Sequence, residues 1–309
     1  MTEATPFTIL VPLDGSPEAL GALPYALAVS GAGATIDLLT VIHDSSEQAA
    51  AETQLASAAQ GLASANVTVT TRTLTGDPAA MIVEAAGHGG ADLIVMASHG
   101  RGALGRLIHG AVADKVAREA PVPVMVIRKE LEGPGPVGIM RLVLPVDGSP
   151  LAEESLPFAT ELAQRLGTPL VLVRAVNIAE LMPPAVGMGE AIPFQLYDEA
   201  EREMRQEAEK YLEALAAELR AKGLTVSAQI LFGPPASAIS EVTHAGDLVI
   251  LVSHERSGVA RWLIGSVAEQ LVRIDEAPVV LVPADPVPEY DNVEGTTAAI
   301  ANAETTGQA

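Results

Sequence analysis

The sequence predicts an α/β fold: two Rossmann-like domains in tandem, each a five-stranded, mainly parallel sheet flanked by helices. Three observations predict it. Of 309 residues, 49% are apolar but only 3% aromatic, so the core must be built from Val, Leu, Ile and Ala, which suits buried parallel strands under Ala-rich helices. Short apolar runs alternate with helical segments along the chain, the pattern of βαβ units. The chain also repeats itself. ILVPLDGSP at 9–17 returns as LVLPVDGSP at 142–150, setting Asp14 and Asp147 133 positions apart.

Each element of the first half has a counterpart in the second, in the same order. The apolar run broken by Asp-Gly-Ser-Pro reads as a buried strand, a tight turn and a helix opening at proline. LLTVIHD (38–44) and LVLVRAVN (170–177) form the second strand, with Val41 and Val176 at its end. Helical segments follow at Ser45–Ala65 and Gln195–Lys222, the latter placing Tyr211, Leu212, Leu215 and Leu219 on one face. LTGDPAAMIVEAA (74–86) and LFGPPASAISEVT (231–243) read as a strand end, a glycine, a proline and a helix. ADLIVMASHG (91–100) and GDLVILVSHE (246–255) give the fourth strand and its loop, and APVPVMVIR (120–128) and APVVLVP (277–283) the fifth.

This parsing sets a first domain at 6–131, a Pro/Gly-rich linker at 132–138 and a second domain at 139–284. Gly110 and Gly265 lie 155 positions apart rather than 133, so the second half has gained 22 residues. They fall in a Pro/Gly/Met-rich insertion at about 177–198. The segment 285–309, acidic and rich in small residues, reads as a disordered tail.

The net charge of −21 with no Lys/Arg cluster excludes the basic footprint of a nucleic-acid binder and disfavours an anionic membrane surface. The absence of cysteine removes disulfides, thiol nucleophiles and thiolate-held metals. MTEATPFTIL has no basic segment ahead of its apolar residues, and no apolar run reaches the roughly 18 residues of a membrane span. A soluble cytoplasmic protein is expected.

The fourth strand of each half runs into a long loop: ASHGRGALGRLIHGA (97–111) and VSHERSGVARWLIGS (252–266). Here both halves resemble universal stress protein domains, of the adenine nucleotide alpha hydrolase-like fold. Nucleotide-binding members of that family carry Gly, two residues, Gly, nine residues, then Gly-Ser or Gly-Thr. The first half reads Ala97, two residues, Gly100, nine residues, Gly110-Ala111; the second reads Val252, two residues, Glu255, nine residues, Gly265-Ser266. The resemblance implies an adenine nucleotide, ATP with Mg2+ among them, as ligand. Asp14 would face the nucleoside and Val41 would line the base through its backbone. Around them the first site would comprise Pro12, Leu13, Met96, Ala97, Ser98, Gly100, Arg101, Gly110, Ala111 and Val112. The second site would comprise Asp147, Val176, Val252, Glu255, Gly265, Ser266 and Val267. The resemblance also implies that the fifth strands pair the halves into an intramolecular pseudo-dimer. Further homodimerisation and the identity of protein partners stay open.

A phosphate chain over a loop needs backbone N–H groups in reach, hence small residues, and a following helix adds free N–H groups and a positive dipole end. Losing a hydroxyl at Ala111 removes one hydrogen bond, about 1 kcal/mol. Glu255 is costlier: a carboxylate about 5 Å from a phosphate repels it by roughly 3 kcal/mol at an effective dielectric near 20. The second site is therefore expected to be degenerate. Arg101 and Arg256, and Arg106 and Arg261, fall at matching positions and read more readily as surface arginines than as phosphate forks. His99 and His254 also match, but no metal site is expected. Asp-Gly-Ser-Pro carries a second reading, a capped turn with no ligand at all.

Catalysis is not expected. The chain has no G-x-x-x-x-G-K-[ST] loop, no G-x-G-x-x-G after a strand and no G-x-S-x-G elbow, and GRGALG (100–105) has the wrong spacing. No lysine flanks either loop to steady a transferring phosphoryl group. Slow incidental ATP hydrolysis, with Asp14 holding a metal, stays compatible with this pattern. The sequence thus favours a nucleotide-binding stress regulator over two alternatives: a module that binds no nucleotide and acts through protein–protein contacts, and a nucleotide-processing enzyme.

Overall fold

The computed structural model of the protein describes residues 6–63, 65–98, 110–128, 137–177, 194–253, 265–274 and 277–284. Outside them lie His99, Gly100, Arg101, Arg106, His254, Glu255, Arg256 and Arg261, most of the expected linker and insertion, and the tail from 285.

In the first half, strand β1 (Thr8–Pro12) leads through helices α1 (Pro17–Leu20) and α2 (Leu23–Ser30) to β2 (Thr35–Ile42). Helix α3 (Gln48–Leu62), β3 (Thr68–Thr75), α4 (Pro78–His88), β4 (Leu93–Ala97), α5 (Ala111–Glu119) and β5 (Val124–Ile127) follow. The second half repeats the series as β6 (Arg141–Pro145), α6 (Pro150–Glu153), α7 (Leu156–Leu166), β7 (Leu170–Val176) and α8 (Phe194–Ala221). It closes with β8 (Val226–Phe232), α9 (Pro235–Val242), β9 (Asp247–Ser253), α10 (Ser266–Ile274) and β10 (Val279–Pro283). The helix read from sequence at 45–65 begins later, at Gln48, because Asp44 accepts the Ser46 N–H at 2.7 Å and winds Ser45–Glu47 into a 3-10 turn. In α8 the residues Ala208, Leu212, Leu215, Ala216 and Leu219 are buried. They form an apolar stripe under an otherwise charged helix.

The ten strands of the described residues form one sheet in the order β3-β2-β1-β4-β5-β10-β9-β6-β7-β8. Within each half every pair is parallel; between the halves β5 and β10 pair antiparallel, with Met125 opposite Val280. The expected pseudo-dimer is therefore realised as a continuous sheet. Because the two halves run in opposite directions, the carboxyl ends of their strands point to opposite edges of the molecule.

One core lies between the sheet and α2, α3, α7 and α8, and contains residues of both halves, among them Ile9, Leu38, Met125, Leu144, Leu172 and Val280. The other lies under α4, α5, α9 and α10. Across the seam Arg165 of α7 stacks its guanidinium 4.4 Å from the centre of the Phe7 ring. Its stem also lies against Gly31, which has φ 63°, and where a methyl would meet Arg165 Cγ at 2.7 Å. Two carboxylates inside strands are paired across the ladder. Asp37 of β2 meets Arg72 at 2.6 Å and Thr70 at 3.0 Å on β3. Buried Asp247 of β9 takes a bidentate bond from Arg141, its register partner on β6, and holds that guanidinium above its ordinary pKa chiefly by the hydrogen bond.

A core shared across the seam makes the halves one cooperative unit. Calorimetry should show a single unfolding transition. Val280→Asp, which buries a carboxylate among apolar side chains, should displace that whole transition by a loss on the order of 4 kcal/mol. Two transitions, only one of them displaced, would contradict this.

Candidate functional site

In the first half the chain order reverses between β1 and β4. Connections from β1 run to one face of the sheet and those around β4 to the other, so a crevice opens past the strand ends between them. It is a cleft of about 580 Å³, within the range of small-molecule sites. Leu13, Leu39, Val41, Met96 and Ala97 floor it; Glu47, Ala50, Ala51 and Gln54 of the α3 side form one wall; Pro78, Ile82 and the start of α5 form the other.

Of the residues singled out in the sequence, Pro12, Leu13, Asp14, Val41, Met96, Ala97, Gly110, Ala111 and Val112 all line this cleft. Ser98 does not: it is buried, and its N–H is given to the carbonyl of Ile127. Asp14 is exposed to the cleft, but its Oδ1 accepts both the N–H and the O–H of Ser16, and Ser16 in turn caps α1 by accepting the Ala19 N–H at 3.1 Å. Between them Gly15 takes φ 76°, the left-handed region, and the amide of Gln54 lies directly over it. The Asp-Gly-Ser-Pro turn thus has a complete structural rationale of its own.

The opposite end differs. Gly110 is buried with an extended backbone and, among the described residues, no side chain caps α5, so the N–H groups of its first turn present the positive end of the helix to the cleft. Asp77 caps α4 by accepting the Ala80 N–H and holds Lys115 Nζ at 3.2 Å, bonds that keep its carboxyl below the usual range, the Ala80 bond first. Helices α4 and α5 pack side by side and so carry Lys115 of α5 to the head of α4.

The second half keeps the scaffold but not the volume. Asp147 accepts the Ser149 N–H at 2.8 Å, Ser149 caps α6, and α10 starts from buried Gly265, whose carbonyl accepts the Glu269 N–H. Yet the cleft of the described residues measures about 170 Å³, lined from Asp147, Ser149 and Leu151 on one side to Ile239, Ser266 and Val267 on the other, with no residue of α8. Leu13 donates to the Leu39 carbonyl and Val146 to that of Val173, while Gly76 donates to Ile42 and Gly233 to Val176. Leu39 therefore corresponds to Val173, Thr40 to Arg174, Val41 to Ala175 and Ile42 to Val176. The pairing of Val41 with Val176 read from sequence is one residue out, and a slip of one turns a side chain to the other face. Ala175 lines the second cleft; Val176 is buried away from it.

Among the described residues, Arg174 at the place of Thr40 occupies the α8 side. Its guanidinium lies 3.6 Å from where a side chain on Gly148 would begin, 5.3 Å from the centre of the Tyr211 ring, and 3.2 Å from Glu207 on α8. Tyr211 donates its O–H to Glu153 at 2.8 Å. Sequence reasoning put the defect of this half on the loop at Glu255, which lies outside the described residues. The described defect is on the other wall. An arginine inside the apolar run LVLVRAV was the signal that marked it. Glu47 and Gln54, seven apart on one helical face beside the cleft, were the corresponding signal in the first half. Among the described residues no group of three or more His, Asp or Glu side chains is placed to share a metal ion, and no helix is long and apolar enough to cross a membrane.

Comparison with known proteins agrees with this architecture. Residues 7–128 and 138–283 each match the model of the universal stress protein family. A universal stress protein of Mycobacterium tuberculosis is 31% identical over 194 residues, which cover 62% of this chain and 61% of that relative's length. One from Methanocaldococcus jannaschii is 28% identical over 144 residues, covering 46% of this chain and 81% of its own. The crystal structure of a universal stress protein from Archaeoglobus fulgidus shares the fold over 90% of this chain and 96% of its own, with a TM-score of 0.64 at 20% identity.

The plug in the second half has a pH signature. Burial foremost, then the bond to Glu153 and the nearby Glu153 and Asp147 carboxylates, raise the Tyr211 hydroxyl well above the ordinary tyrosine range, with Arg174 opposing. The folded pKa is raised, so its stabilising contribution is complete below about pH 10 and is lost as pH rises beyond it. Urea titrations at about pH 9 and pH 11 should show Tyr211→Phe losing less stability over that interval than the unmodified protein. Equal losses would contradict the placement of Tyr211.

Proposed function

The chain belongs to the universal stress protein family, and from that premise we propose that it is a stress-response regulatory protein whose first half binds ATP or a related adenine nucleotide. The second site is degenerate. The observation that carries this reading is the 580 Å³ cleft of the first half with the uncapped start of α5 at one end, against a 170 Å³ remnant in the second. A triphosphate fits against the α5 N–H groups, where dipole and hydrogen bonds act together. The nucleoside fits between β2 and α3.

Mg2+ would arrive on the phosphates, whose charge it would screen. In this reading the nucleotide is a signal rather than a substrate. Asp14, the carboxylate nearest the strand end, has one oxygen committed to Ser16, which ties it to positioning rather than to proton transfer. Occupancy of the cleft would then set how the chain meets protein partners, or a second copy, in the cytoplasm.

Freshly purified protein, heat-denatured, should release one adenine nucleotide per chain on chromatography. Ala111→Glu gives the sharper test. An acidic residue in the first turn favours the helix, so the fold and melting temperature should be kept. Its carboxylate would face the phosphates at a cost of about 3 kcal/mol, weakening ATP at least 100-fold by titration calorimetry. Two nucleotides per chain would show the second site to be competent. None, with no uptake of added ATP, would overturn the reading in favour of an interaction module.

A further inference from the structure

We infer that Glu47 selects the base: its carboxylate accepts a hydrogen bond from the exocyclic amine of the bound nucleotide, so the first half prefers an amino-bearing purine to one without that amine. This rests on the reading of the cleft as a nucleotide site and adds to it the residue that discriminates between bases.

The cleft is electrically polarised along its length. Past β4 stand Gly110–Ala113 with the positive start of α5; past β2, on the far side of β1, stands the carboxylate of Glu47, with Asp14 between them. A phosphate chain is drawn to the first and repelled by the second. The neutral, donor-bearing part of the ligand therefore lies between β2 and α3.

The two carboxylates of the cleft are not equivalent. Asp14 uses Oδ1 twice on Ser16 as part of a turn that recurs around Asp147, where the cleft is largely gone. Its position is explained without a ligand. Glu47 is pinned differently: Oε2 accepts the backbone N–H of His43 at 3.0 Å, which fixes the carboxylate just past the end of β2, two residues beyond Val41. That bond uses one of about four acceptor positions on the group. A fixed acceptor that offers no proton matches an N–H donor and is left unpaired by a base that lacks one. On the same wall Gln54 covers Gly15 and closes the side toward β1. The wall ends in alanines, Ala50 and Ala51, that leave room for a flat ring.

The test compares ATP with purine riboside 5′-triphosphate, which differs only by lacking the 6-amine, in titration calorimetry on the full chain. A hydrogen bond to a charged group corresponds to roughly 10- to 100-fold in affinity, and the unmodified protein should prefer ATP by that factor. In Glu47→Ala the preference should fall below about 3-fold. In Glu47→Gln, which keeps an acceptor oxygen, part of it should return. Far-UV spectra and melting temperatures of both variants should match the parent, since Glu47 is exposed. ATP binding that Ala111→Glu abolishes, with a preference over purine riboside triphosphate that Glu47→Ala leaves intact, overturns the role of Glu47 while the site stands. Absence of ATP binding in the unmodified protein overturns both.

Discussion

The antiparallel ladder between β5 and β10 is the interaction on which the rest of the structure depends. Val124–Ile127 is buried on every residue, and Val279–Leu281 likewise, so neither strand can serve as the free edge of a five-stranded sheet in water. Joining them removes two apolar edges at once and lets one core run beneath both halves, with α2 and α7 packed together over the seam. The direction of that ladder also decides the placement of the clefts. Strands that run oppositely send their carboxyl ends to opposite edges, so the two clefts share a sheet and a core but no wall.

The halves then diverge on a common frame. Both hold an Asp-Gly-Ser-Pro turn with a left-handed glycine, Gly15 at φ 76° and Gly148 at φ 89°, and both start their last helix from a buried glycine. These positions answer structural demands: a capped helix, a reversal only glycine makes cheaply, a close approach. They persist in the half whose cleft has shrunk. What changed is the filling between β7 and α8, where Arg174 replaces the position of Thr40 and Tyr211 stands against it. The ion pair of Arg174 with exposed Glu207 adds little to stability. Its consequence is volume.

Much of this was legible in the sequence. The repeat of ILVPLDGSP as LVLPVDGSP announced two homologous halves, and the apolar runs located eight of the described strands because parallel strands buried on both faces have no polar alternation to blur them; the outer strands β3 and β8, largely exposed, were marked only at their ends. The first cleft was legible too, from Asp14 and Val41 to Gly110–Val112, because topology brings strand ends and the α5 start together. Three features were not. The second strand of the second half is displaced by one residue relative to the first, and strand ends in an apolar run carry no mark that separates Val176 from Ala175. Lys115 reaches Asp77 through helix packing rather than sequence proximity. The filling of the second cleft depends on α8, a helix whose position over Asp147 no local pattern encodes.

The Asp-Gly-Ser-Pro turn, the feature that first draws the eye to a ligand, is for that reason a weak witness to one. Asp147 makes the same turn and supports the same cap where only 170 Å³ remains, so the cap alone is a sufficient cause for the motif in both halves. Evidence for binding has to come from what the halves do not share. On that criterion the informative residues are those of the open wall: Thr40 where the other half has an arginine, the small Ala50 and Ala51, and Glu47 and Gln54 reaching over the end of β2 and the turn after β1. None is required for the sheet, which the second half builds with Arg174 in the place of Thr40. A wall kept open and polar beside the start of α5 is what the other half does not keep. The purpose it fits is an elongated ligand with an anion at one end and a hydrogen-bond donor at the other.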